Sequence, residues 1–303
     1  MVVDAFLSSV VCKTDPLLDG TPWRTLPELR NLRALQDNKK ECKLKTRSQN
    51  ATEIAKIGGA LALDYFRRVG SLDIVDKGLQ DFVSEADQNV ELRIRELIEK
   101  TYPEDGIIGE EHAPKPSNSG YNWVIDPIDG TTNFVNAIPA WCVVLAVVKD
   151  DQTQIGVIFD PIHDEIFQAV RGEGATFNGL VLNCRADTAM NRGSIGTGYC
   201  SRANKTNTTE LIAMILKQDG IFHRNASGAL SLAYTAAGRL IGFVEEHMNA
   251  WDCLAGQLIV AEAGGCVEQQ SADQMIAKGG RVVAGSAGIF DDLVRIADTA
   301  FDT

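Results

Sequence analysis

The chain has 303 residues, of which 45% are hydrophobic and 23% are charged, and this composition gives a globular protein ample material for a buried core. Residues 1–50 hold nine Lys and Arg against six Asp and Glu, and because the whole chain has a net charge of −12, residues 51–303 have a balance of −15. Such an acidic surface repels nucleic acid and anionic membranes unless bound metal offsets the charge. We therefore expect neither as a partner.

The cysteine pattern and the lack of long apolar runs bear on the cellular compartment. Seven cysteines are scattered along the chain with no Cys-x-x-Cys pair, which argues against a disulfide framework or a zinc site and favours a reducing compartment. The apolar run before Cys12 lacks the preceding basic residues of a secretory signal. No run approaches the roughly 20 residues that a membrane span needs. We expect a cytoplasmic protein.

The first predicted elements are an N-terminal extension and two helices. Residues 1–50 show no sustained periodicity and contain a basic tract, which indicates a flexible extension or, alternatively, a basic tail that binds a partner. A helix is predicted from Thr52, as its cap, to Gly70. A second helix starts with a box-like Ser84 and Asp87. Its apolar stripe is formed by Val90, Ile94, Leu97 and Ile98.

Strands dominate the middle of the chain. Residues 120–126 and 140–150 read as strands, and residues 154–179 read as a meander with Asp-Pro and Gly-Glu-Gly turns. The later sequence alternates: a helix at 208–220, a helix and strand over 227–246, a helix from Asp252 to the Gly264 stop, a strand and a last helix. This order predicts an α/β protein in two layered parts, residues 51–190 and 191–303.

Residues 125–134, IDPIDGTTNF, place two aspartates three positions apart after an apolar strand. Because Pro127 has no amide hydrogen, we expect the strand to end at Asp126, with Asp126 and Asp129 in a turn at its carboxyl end. Two carboxylates about 4 Å apart repel by about 4 kcal/mol at an effective dielectric constant of about 20. A divalent cation between them reverses that sign, and oxygen ligands favour Mg²⁺. The alternative is an ordinary turn with solvated aspartates.

Two further acidic positions follow apolar runs. Glu110 and Glu111 come after the apolar pair in GIIGEEH, at the end of a predicted strand, and Asp252 opens the helix AWDCLAG. Taken alone, the first is explained as a solvated charge pair and the second as a common helix N-cap. Taken together with Asp126 and Asp129, they predict a carboxylate cage built from the ends of apolar elements.

The motifs, in this order and spacing, resemble the inositol monophosphatase family of magnesium-dependent, lithium-inhibited phosphatases. The resemblance runs from about Thr52 to the C-terminus and rests on FVSEAD (82–87), GEE (109–111), WVIDPIDGTTNF (123–134), RGEGATFNG (171–179) and WDCLAGQLIVAEAGG (251–265). It implies a layered αβαβα sandwich, a homodimer, and two or three Mg²⁺ ions in each active site.

The resemblance also implies roles for individual residues. The metal ligands would be Glu110, Asp126, the carbonyl oxygen of Ile128, Asp129 and Asp252, with Glu111 beside a weaker third site. The catalytic residues would be Glu110, Thr131 and Asp87, with Thr131 positioned by Asp87 and paired with Glu110 to orient the attacking water. The substrate contacts would be the amides of Gly130 and Thr131 for the phosphate, together with Ser227, Gly228, Glu245 and Lys77.

Two departures from the family pattern concern the substrate contacts. The family commonly reads Gly-Ser-Ala where this chain has Ala226, Ser227 and Gly228, and the loop lysine, Lys77, has one residue fewer between it and Asp87. We expect a phosphomonoesterase that hydrolyses inositol monophosphate or a related polyol or sugar phosphate with metal-activated water. The alternatives are a histidinol-phosphate phosphatase, a fructose-1,6-bisphosphatase, and a regulatory protein that keeps the fold without turnover.

Overall fold

The computed structural model describes the backbone of residues 27–71, 74–78, 81–186, 188–200 and 202–301, and it describes their side chains except at residues 27–43, 45 and 71–84. Contacts divide the chain into Met1–Lys43 and Leu44–Thr303, and the architecture below is that of the second unit. Residues 1–26 of the predicted flexible extension lie outside the described residues, and the backbone of residues 27–50 is helical.

The described part of the chain contains eight α-helices and fourteen strands. The helices are α1 Pro27–Phe66, α2 Glu85–Thr101, α3 Thr131–Val135, α4 Lys205–Lys217, α5 Gly228–Ala236, α6 Ala250–Glu262, α7 Ala272–Lys278 and α8 Phe290–Phe301. The strands are β1 Ile74–Gly78, β2 Asp81–Ser84, β3 Gly106–Gly109, β4 Tyr121–Asp129, β5 Cys142–Lys149, β6 Gln152–Asp160, β7 Glu165–Val170, β8 Gly174–Phe177, β9 Leu180–Val181, β10 Ser194–Thr197, β11 Ile221–His223, β12 Gly242–Met248, β13 Cys266–Val267 and β14 Gly280–Gly285.

Helix α1 corrects the predicted start of the first helix. It begins at Pro27 and not at Thr52, and it ends at Phe66, before Gly70. Proline is favoured in the first turn of a helix, and the next 30 residues contain neither proline nor glycine and many good helix formers. The sequence carries no apolar stripe in this part of the helix, so no helix was predicted there. The boundary suggested at residue 50 also differs from the division of contacts, which falls after Lys43.

Seven strands form the first sheet, in the order β3-β4-β5-β6-β7-β8-β9. Strands β3 and β4 are parallel, and every other neighbouring pair is antiparallel. Strand β4 continues to Asp129, so the prediction that it ends at Asp126 is wrong. Its register against β5 shifts between Asp126 and Asp129, and a bulge of this kind accommodates Pro127, which cannot donate to the ladder.

Five strands form the second sheet, in the order β11-β10-β12-β14-β13. Strand β10 is parallel to both β11 and β12, and β14 is antiparallel to β12 and β13. The two sheets lie in the two predicted parts of the chain, 51–190 and 191–303, while contacts group both sheets in the single unit Leu44–Thr303.

The unit has five layers and three apolar cores, because one core covers both faces of the central helix layer. One face of the seven-stranded sheet packs on α1 and α2, and its other face packs on α5 and α6. The five-stranded sheet covers the far side of α5 and α6 through residues such as Phe243 and Val282, and its outer face packs on α4 and α8. Because both faces of the central strands are covered, β5 reads as the continuous apolar run CVVLAVVK. The layers are αβαβα, as predicted.

In the part of the chain that the structure describes, no helix combines the length and the apolar character required to cross a membrane.

Candidate metal and phosphate site

The acidic motifs meet at one edge of the seven-stranded sheet. Strands β3 and β4 are parallel, so their carboxyl ends lie side by side and bring Glu110 next to the segment from Asp126 to Asp129. The first turn of α6 carries Asp252. Among the described residues, Glu110, Asp126 and Asp252 offer oxygen atoms that all lie within 4.8 Å of one another. Three of the four carboxylates of the predicted cage therefore converge, and Asp129 is the fourth.

These carboxylates repel one another. Burial is the largest cause of a strongly raised pKa at Asp126, and the neighbouring charges of Glu110, Asp129 and Asp252 raise that pKa further. Burial and the charge of Asp129 raise the pKa of Asp252 to about 7. No described Lys or Arg forms a salt bridge with Asp126 or Asp252. Buried carboxylates without a paired cation are costly, and a bound metal ion would offset that cost.

Asp129 completes the acidic group and is held by several donors. Its Oδ2 accepts a hydrogen bond from the hydroxyl of Ser227, another from the amide of Ala229 at 2.9 Å, and a weaker one from the thiol of Cys142 at 3.7 Å. Burial raises the pKa of Asp129, and the Ser227 and Ala229 hydrogen bonds lower it. The predicted substrate residue Ser227 therefore orients Asp129, and it also caps α5 through the amide of Leu230.

Thr131 lies where the sequence places it. Its Oγ1 is 3.3 Å from Asp87 Oδ1 and 3.1 Å from the carbonyl oxygen of Ile128. The preceding Gly130 has a φ of 100°, in the left-handed region, and starts the short helix α3; only glycine adopts this conformation without strain. The first amides of a helix have no acceptor within it. Those of Gly130 and Thr131 adjoin the carboxylate cluster.

A buried carboxylate that the sequence analysis missed fixes the turn after β3. Glu91 on α2 is fully buried; it accepts hydrogen bonds from Arg95 Nε at 2.6 Å and from the amide of Glu111 at 2.8 Å. Arg95 donates in turn to the carbonyl oxygen of His112 at 3.1 Å. A Cβ atom at Gly109 would collide with the Glu91 carboxylate, so the turn can approach α2 only with glycine there.

Asp252 is not the cap of α6, and that reading of the sequence is corrected. The helix begins at Ala250 with Asn249 as its cap, and Asp252 is the third helical residue. Its Oδ2 accepts from the amide of Asn249 at 3.0 Å in a capping box. One oxygen thus caps the helix, as in other capping boxes, while the carboxylate also belongs to the acidic cluster.

A cleft of about 140 Å³ opens beside the cluster. Asp129, Asp252 and the predicted substrate residue Glu245 line it, together with Ser227 and Gly228. Glu245 is 7% exposed. Burial and the charges of Asp252 and Asp129 raise its pKa to about 8, and Arg224 opposes that rise. The adjacent Glu246 turns away and accepts hydrogen bonds from the amide of Asn204 and the side chain of Asn207.

The structure therefore brings together most of the residues that the sequence singled out. Those placed at the cluster or the cleft are Asp87, Glu110, Asp126, Ile128, Asp129, Gly130, Thr131, Ser227, Gly228, Glu245 and Asp252. Glu111 donates its amide to Glu91 and is not one of the three clustered carboxylates. The side chain of Lys77 lies outside the described residues. Sequence reasoning missed Arg202 and Arg224, which line the cleft from loops without a motif.

The donor set fits a hard divalent cation. All candidate ligands are oxygen atoms, three of them converge within 4.8 Å, and at least two are buried or half-buried without a paired cation. Such carboxylate and carbonyl oxygens suit Mg²⁺, Ca²⁺ or Mn²⁺ better than softer metals.

Comparison with known proteins agrees with this geometry. The family model described as "Inositol monophosphatase family" matches residues 43–299. A relative named Nus factor SuhB from Haemophilus influenzae is 36% identical over 242 residues, which cover 79% of this chain and 90% of the relative. A relative named inositol-1-monophosphatase from Rhizobium meliloti is 36% identical over 78% of this chain and 90% of its own length.

A solved structure has the same fold over most of its length. The crystal structure of the extragenic suppressor protein SuhB from Bartonella henselae superposes with a TM-score of 0.78 at 31% identity, and the match covers 83% of this chain and 98% of that one. The carboxylate cluster, the αβαβα layers and these similarities agree, and the chain belongs to the inositol monophosphatase family.

Proposed function

We propose that this chain is a Mg²⁺-dependent phosphomonoesterase that hydrolyses inositol monophosphate or a related small polyol or sugar phosphate by direct attack of water. The observation that carries the proposal is the convergence of Glu110, Asp126 and Asp252 within 4.8 Å beside the Thr131–Asp87 pair. Phosphate monoesters hydrolyse extremely slowly without catalysis. Metal ions held by clustered carboxylates accelerate such hydrolysis by activating water, and no covalent nucleophile is needed.

The metal ions would be held by two overlapping sets of oxygen atoms. Glu110, Asp126 and the carbonyl oxygen of Ile128 form the first set; Asp126, Asp129 and Asp252 form the second. Glu111 would serve a third, weaker site. When bound, the ions supply positive charge that lowers the pKa of a coordinated water and stabilises negative charge on the phosphate. The proximity of Asp126 to both Glu110 and Asp252 supports its place in both sets.

Thr131 and Glu110 would orient the attacking water. The Thr131 hydroxyl lies within hydrogen-bond distance of Asp87 Oδ1 and the Ile128 carbonyl oxygen, and because both of these are acceptors, it donates its single proton to one or the other of them. Its oxygen can then accept a hydrogen bond from water. A carboxylate oxygen of Glu110 would accept the other proton, as a general base does.

The phosphate and the leaving group would occupy adjacent regions. The amides of Gly130 and Thr131, at the start of α3, would donate to phosphate oxygens. Glu245 would accept a hydrogen bond from a hydroxyl or amine of the leaving group in the cleft, with Ser227 and Gly228 beside it. The role of Lys77 as a loop lysine stays a prediction.

The test is phosphate release from a panel of phosphomonoesters, with and without Mg²⁺. We expect release that requires Mg²⁺, that millimolar Li⁺ inhibits, and that is fastest for one of the polyol or sugar phosphates. Histidinol phosphate and fructose 1,6-bisphosphate belong in the panel as the alternative substrates. No Mg²⁺-dependent release from any member would contradict the proposal.

A regulatory role is the second candidate, because several relatives are named Nus factor. The Thr131–Asp87 pair supports catalysis over binding alone, since a binding protein would not require a hydroxyl held in place for water. Our expectation that the chain does not bind nucleic acid rests on its acidic charge and stays a prediction. So do the homodimer and the cytoplasmic location.

A further inference from the structure

Two arginines lie at the mouth of the cleft and have no partner in the part of the chain that the structure describes. Arg202 follows β10 and Arg224 follows β11, and both side chains are exposed. Neither forms a hydrogen bond or an ion pair with a described residue, whereas other arginines of the unit do, such as Arg239 with Glu165 and Arg281 with Glu268.

The position of these arginines is unusual for so acidic a unit. Residues 51–303 have a balance of −15, and the cleft itself contains the carboxylates of Asp129, Glu245 and Asp252. Two guanidinium groups in the same cleft would be expected to pair with those carboxylates. Instead, the carboxylates face the metal site or lie buried, and the guanidinium groups remain at the mouth, open to an incoming ligand.

We propose that Arg202 and Arg224 bind a second anionic group, a carboxylate or a phosphate, that the leaving group of the substrate carries. This inference rests on the proposed function and selects within its substrate class. A planar guanidinium group binds carboxylate or phosphate oxygens in a bidentate manner. The same cleft is lined by Asp129 and Asp252 of the metal site, by Glu245 and by both arginines, so a leaving group that extends from the metal site into the cleft approaches the arginines.

The charges near the arginines agree with this assignment. Burial raises the pKa of Glu245 and of Asp252, and the positive charges of Arg224 and Arg202 oppose that rise at Glu245 and at Asp252 respectively. The guanidinium groups are thus close enough to the leaving-group side of the site to act on charges there. His247 also lines the cleft, and burial together with the charge of Arg202 lowers its pKa, which favours the uncharged imidazole and leaves the arginines as the cationic groups of the cleft.

Matched pairs of substrates test the proposal, because each pair differs in the second anionic group. Glycerol 1-phosphate and 3-phosphoglycerate test a carboxylate; fructose 1-phosphate and fructose 1,6-bisphosphate test a phosphate. We expect the charged member of at least one pair to have the higher kcat/KM, by about tenfold or more. The pair that shows the difference identifies which anion is bound.

The arginine variants test the residues. Arg202→Ala and Arg224→Ala should each lower the ratio of kcat/KM between charged and neutral members by about tenfold, towards equal rates for the two members, and lysine at either position should restore part of the ratio. Arg192→Ala is the matched control, because Arg192 is exposed and does not line the cleft. A wild-type preference for the neutral member of both pairs, or an equal loss in the control, would overturn the proposal.

Binding measurements separate this proposal from the proposed function. If no phosphomonoester is hydrolysed, calorimetric titration with fructose 6-phosphate and with fructose, both in Mg²⁺, still tests the arginines. Tighter binding of fructose 6-phosphate that is lost in Arg202→Ala and Arg224→Ala supports the anion site without turnover. Equal binding of the two sugars to wild type, or no effect of either substitution, overturns the anion site even where phosphatase activity is present.

Discussion

Asp126 is buried and faces three other carboxylates, and its burial, followed by their negative charges, raises its pKa strongly. Its Oδ1 accepts a hydrogen bond from the amide of Ile128 at 2.9 Å, which fixes the side chain but leaves the negative charges uncompensated. A carboxylate in this position favours a bound cation. Glu91 is also buried, but its negative charge is compensated by Arg95 and by a hydrogen bond from the Glu111 amide.

Asp126→Asn should abolish Mg²⁺-dependent phosphate release, with a loss larger than the ~10²–10⁴-fold typical of removing a general acid or base. The physical reason is that one substitution removes the negative charge of the ligand that both metal sets share. Because it also removes a repelled charge, the metal-free variant should melt at the same temperature as wild type or higher. Phosphate release within tenfold of wild type at saturating Mg²⁺ would refute the assignment of Asp126.

Glu245→Gln should lower kcat/KM for the natural substrate about 10- to 100-fold, because a charge-assisted hydrogen bond to the leaving group contributes roughly 1.5–3 kcal/mol. Mg²⁺ beside Glu245 would lower its pKa again and keep it ionised. The rate with p-nitrophenyl phosphate, whose leaving group has no such donor, should change much less.

Glu246→Gln is the matched control for Glu245, since Glu246 is the next residue along β12 and does not line the cleft. Running inositol monophosphate and histidinol phosphate side by side ranks the hydroxyl and ammonium donors. An equal loss of kcat/KM on all three compounds would indicate damage to the metal site and not lost recognition.

Glu91→Gln should raise the Mg²⁺ concentration for half-maximal activity about 10- to 100-fold, the usual effect of disturbing residues that orient metal ligands. The variant keeps the shape of the side chain but leaves the charge of Arg95 buried without its partner. At saturating Mg²⁺, kcat should recover most of its wild-type value, which a general loss of structure would not allow. Glu96→Gln, in an exposed pair with Arg93 on the same helix, should leave the Mg²⁺ requirement as in wild type.

At the scale of elements, the part of α1 after Lys43 is held to the folded unit by a buried ion pair as well as by apolar packing. Arg47 is buried and donates two hydrogen bonds from its Nη2 and one from its Nε to the Asp105 carboxylate at 2.8 to 3.2 Å. Its guanidinium carbon lies 4.3 Å from the ring centre of Tyr102 and 3.9 Å from that of Tyr121. Asp105 also accepts from Trp123 Nε1. The part of α1 after Lys43 therefore holds the start of β3 and β4 in place.

A chain that begins at Leu44 should keep its melting temperature within a few degrees and its rate within about twofold, because the contacts place Met1–Lys43 in a separate unit. A chain that begins at Ala51 should lose stability, since breaking a buried ion pair by removing one partner costs about 3–5 kcal/mol. Thermal unfolding of both chains checks this.

Arg47→Ala separates the ion pair from the length of the chain and should reproduce most of the loss seen on starting at Ala51. Arg67→Ala, at an exposed position just after α1, is the matched control. If the chain that begins at Ala51 is as stable as the one that begins at Leu44, the boundary near residue 50 is restored and the Arg47–Asp105 pair contributes little.

At the scale of the whole molecule, the site stores charge repulsion that the rest of the fold must offset. An Asp in an unfolded chain has a pKa of about 3.9, whereas that of Asp252 in the folded protein is raised to about 7. Between these values the folded protein binds a proton that the unfolded chain has released. The metal-free protein is therefore most stable in acid with respect to this group, and it loses that stability as the pH rises towards 7 and above.

The melting temperature of the metal-free protein should fall by several degrees between about pH 5 and about pH 8, and Mg²⁺ should restore it at the higher pH because binding stabilises the folded state. Asp252→Asn should flatten part of the fall and weaken the Mg²⁺ effect. Asp150→Asn, at an exposed turn, should follow wild type. A metal-free melting temperature that stays constant or rises over this range would show that the cluster is not strained.

The sequence alone determined the family, the layered α/β class and the membership of the acidic site. Those features follow from local patterns: apolar runs mark buried strands, and IDPIDGTTNF puts its aspartates at the end of one of them. The ends of two elements were predicted wrongly because the local sequence marks them weakly. No apolar stripe marks the start of α1, and a bulge carries β4 past Pro127 to Asp129.

Only the tertiary structure decided which distant residues support the site, and the reason is that these contacts join separate elements. Glu91 and Glu111 are 20 positions apart, and Ser227 and Asp129 are 98 apart; no periodicity relates such pairs. Read in the sequence, Glu91 and Arg95 are an ordinary i, i+4 surface pair, and Arg202 and Arg224 are two loop arginines. The packing of β3 against α2, and of the loops after β10 and β11 around one cleft, gives each of them its place.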